Sequence, residues 1–153
     1  MSARRGVEAL PPGIVEGELD LPTLERWLFA DSLSDVVSRL QYYHRLEEVW
    51  RMIEGRYWDA SLSLDHACHR GRISRAHLNH LLRRTTSFSF HSLLSRYRVR
   101  QSIDMIWKRN YSLSYVASHN GFGSLSGFQR NFRKLVGWRP VDYRRARVGL
   151  LQN

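Results

Sequence analysis

The sequence predicts an all-α protein in which two helix-turn-helix subdomains are joined by a long central helix. Three observations predict this fold. Apolar residues recur at three- and four-residue intervals along most of the chain, the second half contains an internal duplication, and no segment alternates apolar and polar residues as a half-buried strand does. The 153 residues, of which 42% are hydrophobic, are enough for one domain with a buried core.

The duplication lies in the second half of the chain. The pattern of residues 62–86 returns at residues 112–136, with one residue inserted at the turn. Each copy begins with a hydroxyl residue and continues through a short apolar-faced helix, a break that contains glycine, and a second helix, which is the helix-turn-helix arrangement. The N-caps expected for the four helices are Ser63, Ser74, Ser112 and Ser124.

The central helix is predicted over residues 89–108, between the two copies. Its apolar residues keep helical spacing and neither glycine nor proline interrupts them. At 1.5 Å per residue such a helix is about 28 Å long, which is close to one turn of DNA at ~34 Å. It could therefore hold the second helices of the two units about one DNA turn apart.

The part of the chain before the duplication divides into three segments. Residues 1–20 are rich in Gly, Pro and Glu and are predicted to be a flexible leader. Residues 21–42, with Pro22 in a first helical turn, predict one or two short helices that could serve dimerisation or contact a partner. A further helix is predicted over residues 43–57. Residues 148–153 are expected to form a C-terminal tail.

The charge of the chain indicates a polyanionic partner. The net charge is +10 and the pI about 10.6, and basic residues outnumber acidic ones only after residue 50. Docking on an acidic lipid surface, or a basic surface without a partner, remain alternatives on charge alone. No apolar run approaches the ~20 residues of a membrane helix, and the N-terminus lacks the apolar stretch of a secretory signal. We therefore expect a cytoplasmic, nucleoid-associated bacterial protein without membrane contact.

The sequence offers poor candidates for catalysis or metal binding. Carboxylates after residue 50 are few and unpaired, and no phosphate-binding loop or nucleophile motif occurs. Histidines around the single cysteine are zinc-binding residue types, but their spacing matches no compact zinc motif. We therefore expect no enzyme activity, no cofactor and no metal. The residues concerned are His66, Cys68, His69, His77 and His80.

The second copy contains a specific series of residues: 112–117 (SLSYVA), 121–124 (GFGS), Phe128, 132–134 (FRK), Gly137, Pro140 and 143–144 (YR). This series resembles the C-terminal DNA-binding region of the AraC/XylS family of transcription regulators, and the resemblance spans about residues 43–147. The first copy fits more loosely, because Arg72 stands where the family has its turn glycine and residues 85–87 (TTS) replace a Thr-Gly pair. Either Gly71 takes the positive φ there or the turn differs.

The resemblance implies that the second helix of each unit enters a major groove, in adjacent turns on one face of the duplex. Among the residues that point away from the apolar stripe, Asn79 and Gln129 suit adenine, Arg130 suits guanine and Leu125 could touch a thymine methyl group. The alternative for these positions is a solvated polar face. The expected base-contacting residues are Arg75, Ala76, Asn79, His80, Leu125, Ser126, Gln129 and Arg130. The expected phosphate-contacting residues are Ser74, Arg83, Arg84, Ser124, Arg133 and Lys134.

The predicted function is that of a sequence-specific regulator that binds double-stranded DNA and activates transcription, with RNA polymerase as a partner. The alternatives are a nonspecific nucleic-acid-binding basic protein and a co-regulator that depends on a protein partner. Many AraC/XylS regulators carry a larger effector-sensing domain, which residues 1–42 are too few to build. We therefore expect control through abundance, through a protein partner or through self-association of residues 21–42.

Overall fold

The computed structural model of the chain describes residues 21–108 and 110–152, with the side chains of all of these except residues 147–152. The predicted leader, residues 1–20, lies outside the described residues. Within the described ranges the chain forms nine helices and no strand, which confirms the all-α prediction. The helices are α1 (Leu21–Phe29), α2 (Leu33–Tyr42), α3 (His44–Arg56), α4 (Leu64–Gly71), α5 (Arg75–Thr86), α6 (Phe90–Trp107), α7 (Leu113–His119), α8 (Leu125–Val136) and α9 (Pro140–Gln152).

Serine N-caps begin six of the helices in the described ranges. In each case the side-chain oxygen accepts a hydrogen bond from the backbone N–H three residues on, which satisfies a donor that a helix start leaves unpaired. At Ser63 the cap is reciprocal, because its backbone N–H donates to Nδ1 of His66 at 3.1 Å. The four caps expected from the sequence are confirmed. The six caps are Ser32, Ser63, Ser74, Ser89, Ser112 and Ser124.

The two helix-turn-helix units occupy the duplicated segments. Helices α4 and α5 lie within residues 62–86, and α7 and α8 lie within residues 112–136. In each unit the two helices pack against each other and turn the repeated apolar positions towards the core. The buried residues at these positions are Ala67, Leu78, Leu82, Val116, Phe128, Phe132 and Trp138, while Leu64 is half-buried against them.

The turn of the first unit differs from that of the second. Arg72 itself takes a left-handed conformation with φ 51°, and Gly71 remains inside α4. Gly71 instead leaves room for two neighbouring side chains. A Cβ there would be in tight contact with them, 3.2 Å from Cγ2 of Ile73 and 3.3 Å from Cγ2 of Val49. In the second unit the left-handed residue is Gly121, with φ 84°.

Helix α6 is the central support of the molecule. It falls within the predicted range 89–108 and contacts α5 of the first unit and α7, α8 and α9 around the second. Its buried residues lie on one side in the first half of the helix and on the opposite side in the second half, as expected for a helix with neighbours on several sides. The two units therefore share one continuous core. Among its largest members on α6 are Phe90, Leu94, Ile103 and Ile106.

The N-terminal helices pack onto both units. Helix α1 contacts α6 and α8, and α2 contacts α3 and α5. Two arginines of α6 hold α1 in place: Nη1 of Arg96 donates to the Leu28 carbonyl oxygen at 2.6 Å, and Nε of Arg100 lies 2.8 Å from Oε1 of Glu25. Trp27, Leu33 and Val37 are only half-buried, so self-association through residues 21–42 stays a prediction. Five other apolar residues of this segment are fully buried within the chain. They are Leu24, Leu28, Phe29, Val36 and Leu40.

The C-terminal residues continue a helix. Helix α9 runs from Pro140 to Gln152, so residues 148–152, expected as a tail, are helical backbone. Proline is favourable at a first helical position because its fixed φ suits the helix and its missing N–H would have no intrahelical acceptor. Among the described residues, no helix combines the length and the apolar character needed to cross a membrane.

Candidate nucleic-acid interface

The outer face of α5 forms the candidate interface of the first unit. Leu78 and Leu82 face the core, and the opposite side of the helix lines an open groove of about 660 Å³. Five of the predicted contact residues line this groove as exposed side chains, and Asn79 lines it half-buried. The exposed residues are Arg75, Ala76, His80, Arg83 and Arg84. The chain therefore presents a cationic and polar surface along the whole second helix of the unit.

Asn79 has a structural partner that the sequence did not reveal. Its Oδ1 accepts a hydrogen bond from the backbone N–H of Phe90, the first residue of α6, at 3.0 Å. This N–H has no acceptor within α6, because it belongs to the first helical turn. Bidentate pairing of Asn79 with adenine would draw on the same oxygen, which in this structure joins α5 to the central helix.

Arg75 is restrained by an ion pair at the start of α5. Its Nε donates to Oδ1 of Asp65, on α4, at 2.7 Å, and this hydrogen bond raises the pKa of the guanidinium. Both side chains are exposed, so the pair is accessible to a competing anion. Arg75 therefore stays charged, and its ion pair with Asp65 on α4 sets the direction of its side chain.

The outer face of α8 forms the corresponding surface of the second unit. Ser126, Gln129, Arg130 and Arg133 are exposed and line a groove of about 320 Å³ whose other wall is the start of α9. Leu125 is half-buried and packs against the core. The two surfaces are therefore alike in position and in the kind of side chain they offer.

Gly127, inside α8, has a local explanation. Its N–H donates to the capping oxygen of Ser124 at 3.0 Å, and a Cβ at Gly127 would lie only 3.1 Å from that oxygen. A side chain at this position would therefore be in tight contact with the cap at the start of α8.

The predicted phosphate-contacting side chains lie at the two ends of the recognition helices. The hydroxyls of Ser74 and Ser124 accept from the helix backbone and keep a proton to donate. Four exposed basic residues occupy the last turns, and among the described residues none of them forms an ion pair with a carboxylate. They are Arg83, Arg84, Arg133 and Lys134.

Several basic residues serve the fold instead, which the charge count could not show. Arg98 donates to the carbonyl oxygens of Tyr57 and Asp59 at 2.7 and 2.8 Å, and burial lowers the pKa of its guanidinium. Arg144 donates to the carbonyl oxygens of Ile106 and Tyr111 in the same way. The net charge thus overstates the charge available to a ligand.

The histidines and the cysteine that were considered as metal ligands do not come together at one site among the described residues. His66 belongs to the cap of α4, while His77 and His80 are exposed on α5. Partial burial raises the pKa of the Cys68 thiol. Within the described ranges, no three His, Cys, Asp or Glu side chains come close enough together to hold a metal ion.

Comparison with known proteins decides the family. A family model of the AraC type, described as a helix-turn-helix domain, matches residues 67–146, more than half of the chain. The chain belongs to the AraC/XylS family.

A relative and two solved structures show how far the similarity extends. The transcriptional activator RhrA of Rhizobium meliloti (strain 1021) is 29% identical over 119 residues, which make up 77% of this chain and 38% of RhrA. The chain thus spans well under half the length of this curated relative. The DNA-binding domain of AdpA, a global transcriptional factor solved in complex with a target DNA, is 25% identical with a TM-score of 0.64, over 71% of this chain and 97% of that domain.

The C-terminal domain of AraT, a response regulator from Geobacillus stearothermophilus, has a TM-score of 0.65 over 69% of this chain and 87% of that domain. At 20% identity it supports the fold alone. The family model matches from residue 67, and the RhrA match, over 119 of the 153 residues, extends further toward the N-terminus and takes in α3.

Proposed function

We propose that this AraC/XylS protein reads two adjacent major grooves of a target duplex with α5 and α8 and thereby regulates transcription. The observation that carries the proposal is the matched pair of exposed grooves, each lined by arginine and polar side chains on a helix whose other side is buried. Both helices pack on α6, which would hold them at a fixed separation. The similarity to the AdpA domain, solved with a target DNA, supports it.

The proposed base-reading residues divide between the units. In the second unit they are Gln129 and Arg130, whose long exposed side chains suit adenine and guanine, with Ser126 and Leu125 beside them. In the first unit they are Arg75, Ala76 and His80, and Asn79 is reassigned to positioning because of its bond to Phe90. The phosphate-binding residues are Ser74, Arg83 and Arg84 in the first unit and Ser124, Arg133 and Lys134 in the second.

Activation is proposed over repression because RhrA is described as a transcriptional activator. RNA polymerase is the protein partner that activation requires. The place of action is then the nucleoid, in the bacterial cytoplasm. A reporter gene placed behind the selected site would distinguish a rise in transcription from a fall.

The decisive experiment is selection of bound sequences from a random duplex pool at physiological salt, followed by hydroxyl-radical footprinting of the enriched site. Tandem reading predicts two boxes about 10 bp apart, protected on one face of the DNA. A single box would mean that one unit only holds the backbone. Binding without enrichment, lost as salt rises, would contradict sequence-specific reading and favour a nonspecific basic protein.

A further inference from the structure

The junction of α2 and α3 exposes two aromatic rings on a protein that buries most of its others. All five residues from 41 to 45 are exposed, and none of them is acidic. Tyr42 is 81% exposed and Tyr43 50%, and their rings meet edge to face with centroids 5.1 Å apart. We call residues 41–45 the tyrosine corner. Tyrosine is enriched at interaction surfaces, because its ring is apolar and its hydroxyl can form hydrogen bonds.

The tyrosine corner lies directly beside the first recognition helix. Tyr42 and Tyr43 form one wall of a groove of about 610 Å³, and His80 and Arg84 of α5 form part of the other. His80 and Arg84 also line the groove along the outer face of α5. The tyrosine corner is therefore continuous with the candidate DNA surface rather than separate from it.

Arg39 fixes this arrangement. Its Nε donates to the carbonyl oxygen of Thr85, in the last turn of α5, at 3.0 Å, and its Nη1 lies 2.8 Å from Oδ2 of Asp31. Helix α2 is thus tied to the end of the recognition helix, and the two tyrosines that follow it are held at a set position. A duplex seated on α5 would meet them without a change of fold.

The other side of the tyrosine corner is cationic. His44 and Arg45 line a second groove, of about 450 Å³, with Arg70 and Arg72 from the end of α4 and the turn of the first unit. Glu48 is the only acidic residue that lines this groove, and it lies 3.4 Å from Arg70. The cations of this side thus exceed the carboxylates, and the charge suits a phosphate backbone.

We infer that the tyrosine corner is an additional DNA contact, which binds the sugar-phosphate backbone next to the major groove read by α5. Tyrosine hydroxyls donate to phosphate oxygens and their rings pack on sugars, while arginine neutralises the phosphates. This inference rests on the proposed DNA binding. It adds a segment outside residues 67–146, which the family model matches, and it predicts a contact with the DNA that flanks the first box.

The test compares two duplexes that carry the selected site. One ends at the outer edge of the first box, and the other continues for about 5 bp, half a DNA turn, beyond it. The full chain should bind the longer duplex more tightly and protect nucleotides in the added segment. Tyr42→Ala should lose about 2- to 10-fold in affinity for the longer duplex, the value of one ordinary solvent-exposed hydrogen bond, and nothing for the shorter one.

Two further variants separate the contribution of the tyrosine hydroxyl from that of the arginine charge, and a third is the control. Tyr42→Phe removes only the hydroxyl and should lose part of that affinity, while Arg45→Ala should lower the slope of log affinity against log salt by about one unit on the longer duplex alone. Trp58→Ala is the matched control, because Trp58 is 55% exposed and lines none of these grooves. It should bind both duplexes as the unchanged chain does.

Equal affinity of Tyr42→Ala and the unchanged chain on both duplexes would overturn the inference. If that variant also lost activation of a reporter gene, the tyrosine corner would be a protein-binding surface instead of a DNA contact. Failure of the unchanged chain to bind either duplex would be a different result, since it would overturn the proposed function itself. Folding of each variant is checked by circular dichroism, and the exposed position of Tyr42 predicts no loss.

Discussion

The two helix-turn-helix units share a fold but use their recognition helices differently. In the first unit the side-chain oxygen of Asn79 accepts a hydrogen bond from the N–H of Phe90, at the start of α6. The equivalent residue of the second unit is Gln129, which is exposed, and the residue equivalent to Phe90 is Pro140, which has no N–H. Proline at the start of α9 thus leaves Gln129 available to a ligand, whereas the first unit uses this position for its own fold.

The two units also differ in which residues take a left-handed backbone conformation. The second unit has glycine at both left-handed positions, Gly121 and Gly137, while the first has Arg72 with φ 51° and Ser87 with φ 75°. A non-glycine residue in this conformation costs ~1–2 kcal/mol. We therefore expect the first unit to be the less stable one and to hold DNA mainly through its cations, and the second to carry most of the base reading.

The largest effect is expected at Gly121. A Cβ there would overlap the carbonyl oxygen of Tyr57 and lie 2.7 Å from Nε of Arg98, on a backbone that alanine already disfavours. Gly121→Ala should therefore lower the free energy of unfolding by ~3 kcal/mol or more, which combines the left-handed cost with overpacking. Urea unfolding followed by circular dichroism measures this loss. Gly123→Ala is the matched control, because its Cβ would meet nothing within 4 Å, and equal losses would contradict the explanation.

The next effect concerns base reading by the second unit. Arg130→Ala should relax the preference at one base position, at a cost of ~1–3 kcal/mol for the best site and much less for other sequences. Affinities for a panel of single-base variants of the selected site measure it. Arg84→Ala, in the first unit, should instead weaken all duplexes about equally and reduce the salt slope by about one unit. If Arg130→Ala left the relative affinities for these single-base variants unchanged, Arg130 would not be a base-reading residue.

A smaller effect separates the equivalent residues Asn79 and Gln129. Asn79→Ala should lower the free energy of unfolding by ~1 kcal/mol, because the Phe90 N–H loses its acceptor, and leave the base preference in place. Gln129→Ala should change the base preference and leave stability within ~0.5 kcal/mol, since it is an exposed surface residue. Measuring unfolding and the base panel for both variants tests the division of roles. The opposite pattern would show that Asn79 reads DNA and that its bond to Phe90 is dispensable.

The sequence predicted the helices and their caps well because these depend on near neighbours. A serine N-cap needs only the N–H three residues on, and the apolar spacing of Leu78 and Leu82 or of Phe128 and Phe132 shows which side of a helix is buried. The resemblance of the second copy then placed both recognition helices. The candidate surface followed from the same pattern, as the polar positions on the remaining side.

The remaining features of the site and the fold depend on contacts between residues far apart in the sequence. The spacing of residue types along the chain does not reveal such contacts. Asn79 and Gln129 are both amides at equivalent positions, and only the packing of α5 against α6 shows that the first has a backbone partner. Nothing in the sequence separates Arg98 from a phosphate-binding arginine, although it is half-buried and donates to the carbonyl oxygen of Tyr57. The apolar stripe of residues 21–42 is equally consistent with an intermolecular and an intramolecular contact, and only the fold shows that Leu24, Leu28 and Leu40 are buried within the chain.

The smallest effect is expected where the first unit departs from the second in its turn. Arg72→Gly relieves a left-handed conformation worth ~1–2 kcal/mol but adds freedom to the unfolded chain worth ~0.4–1 kcal/mol, so the net gain in unfolding free energy should be about 0.5 kcal/mol. Arg70→Gly, inside α4, is the control of opposite sign and should lose about 1 kcal/mol.

Arg72→Gly should also weaken binding to the longer duplex and leave the shorter one unchanged, as Arg45→Ala should, because both arginines line the cationic groove beside the tyrosine corner. Greater stability with an unchanged base preference would mean that the strain in the first turn is not used for reading DNA. A loss of stability would instead show that the Arg72 side chain contributes more to the turn than its backbone costs, and the comparison between the two units would then have to rest on Asn79 and Pro140 alone.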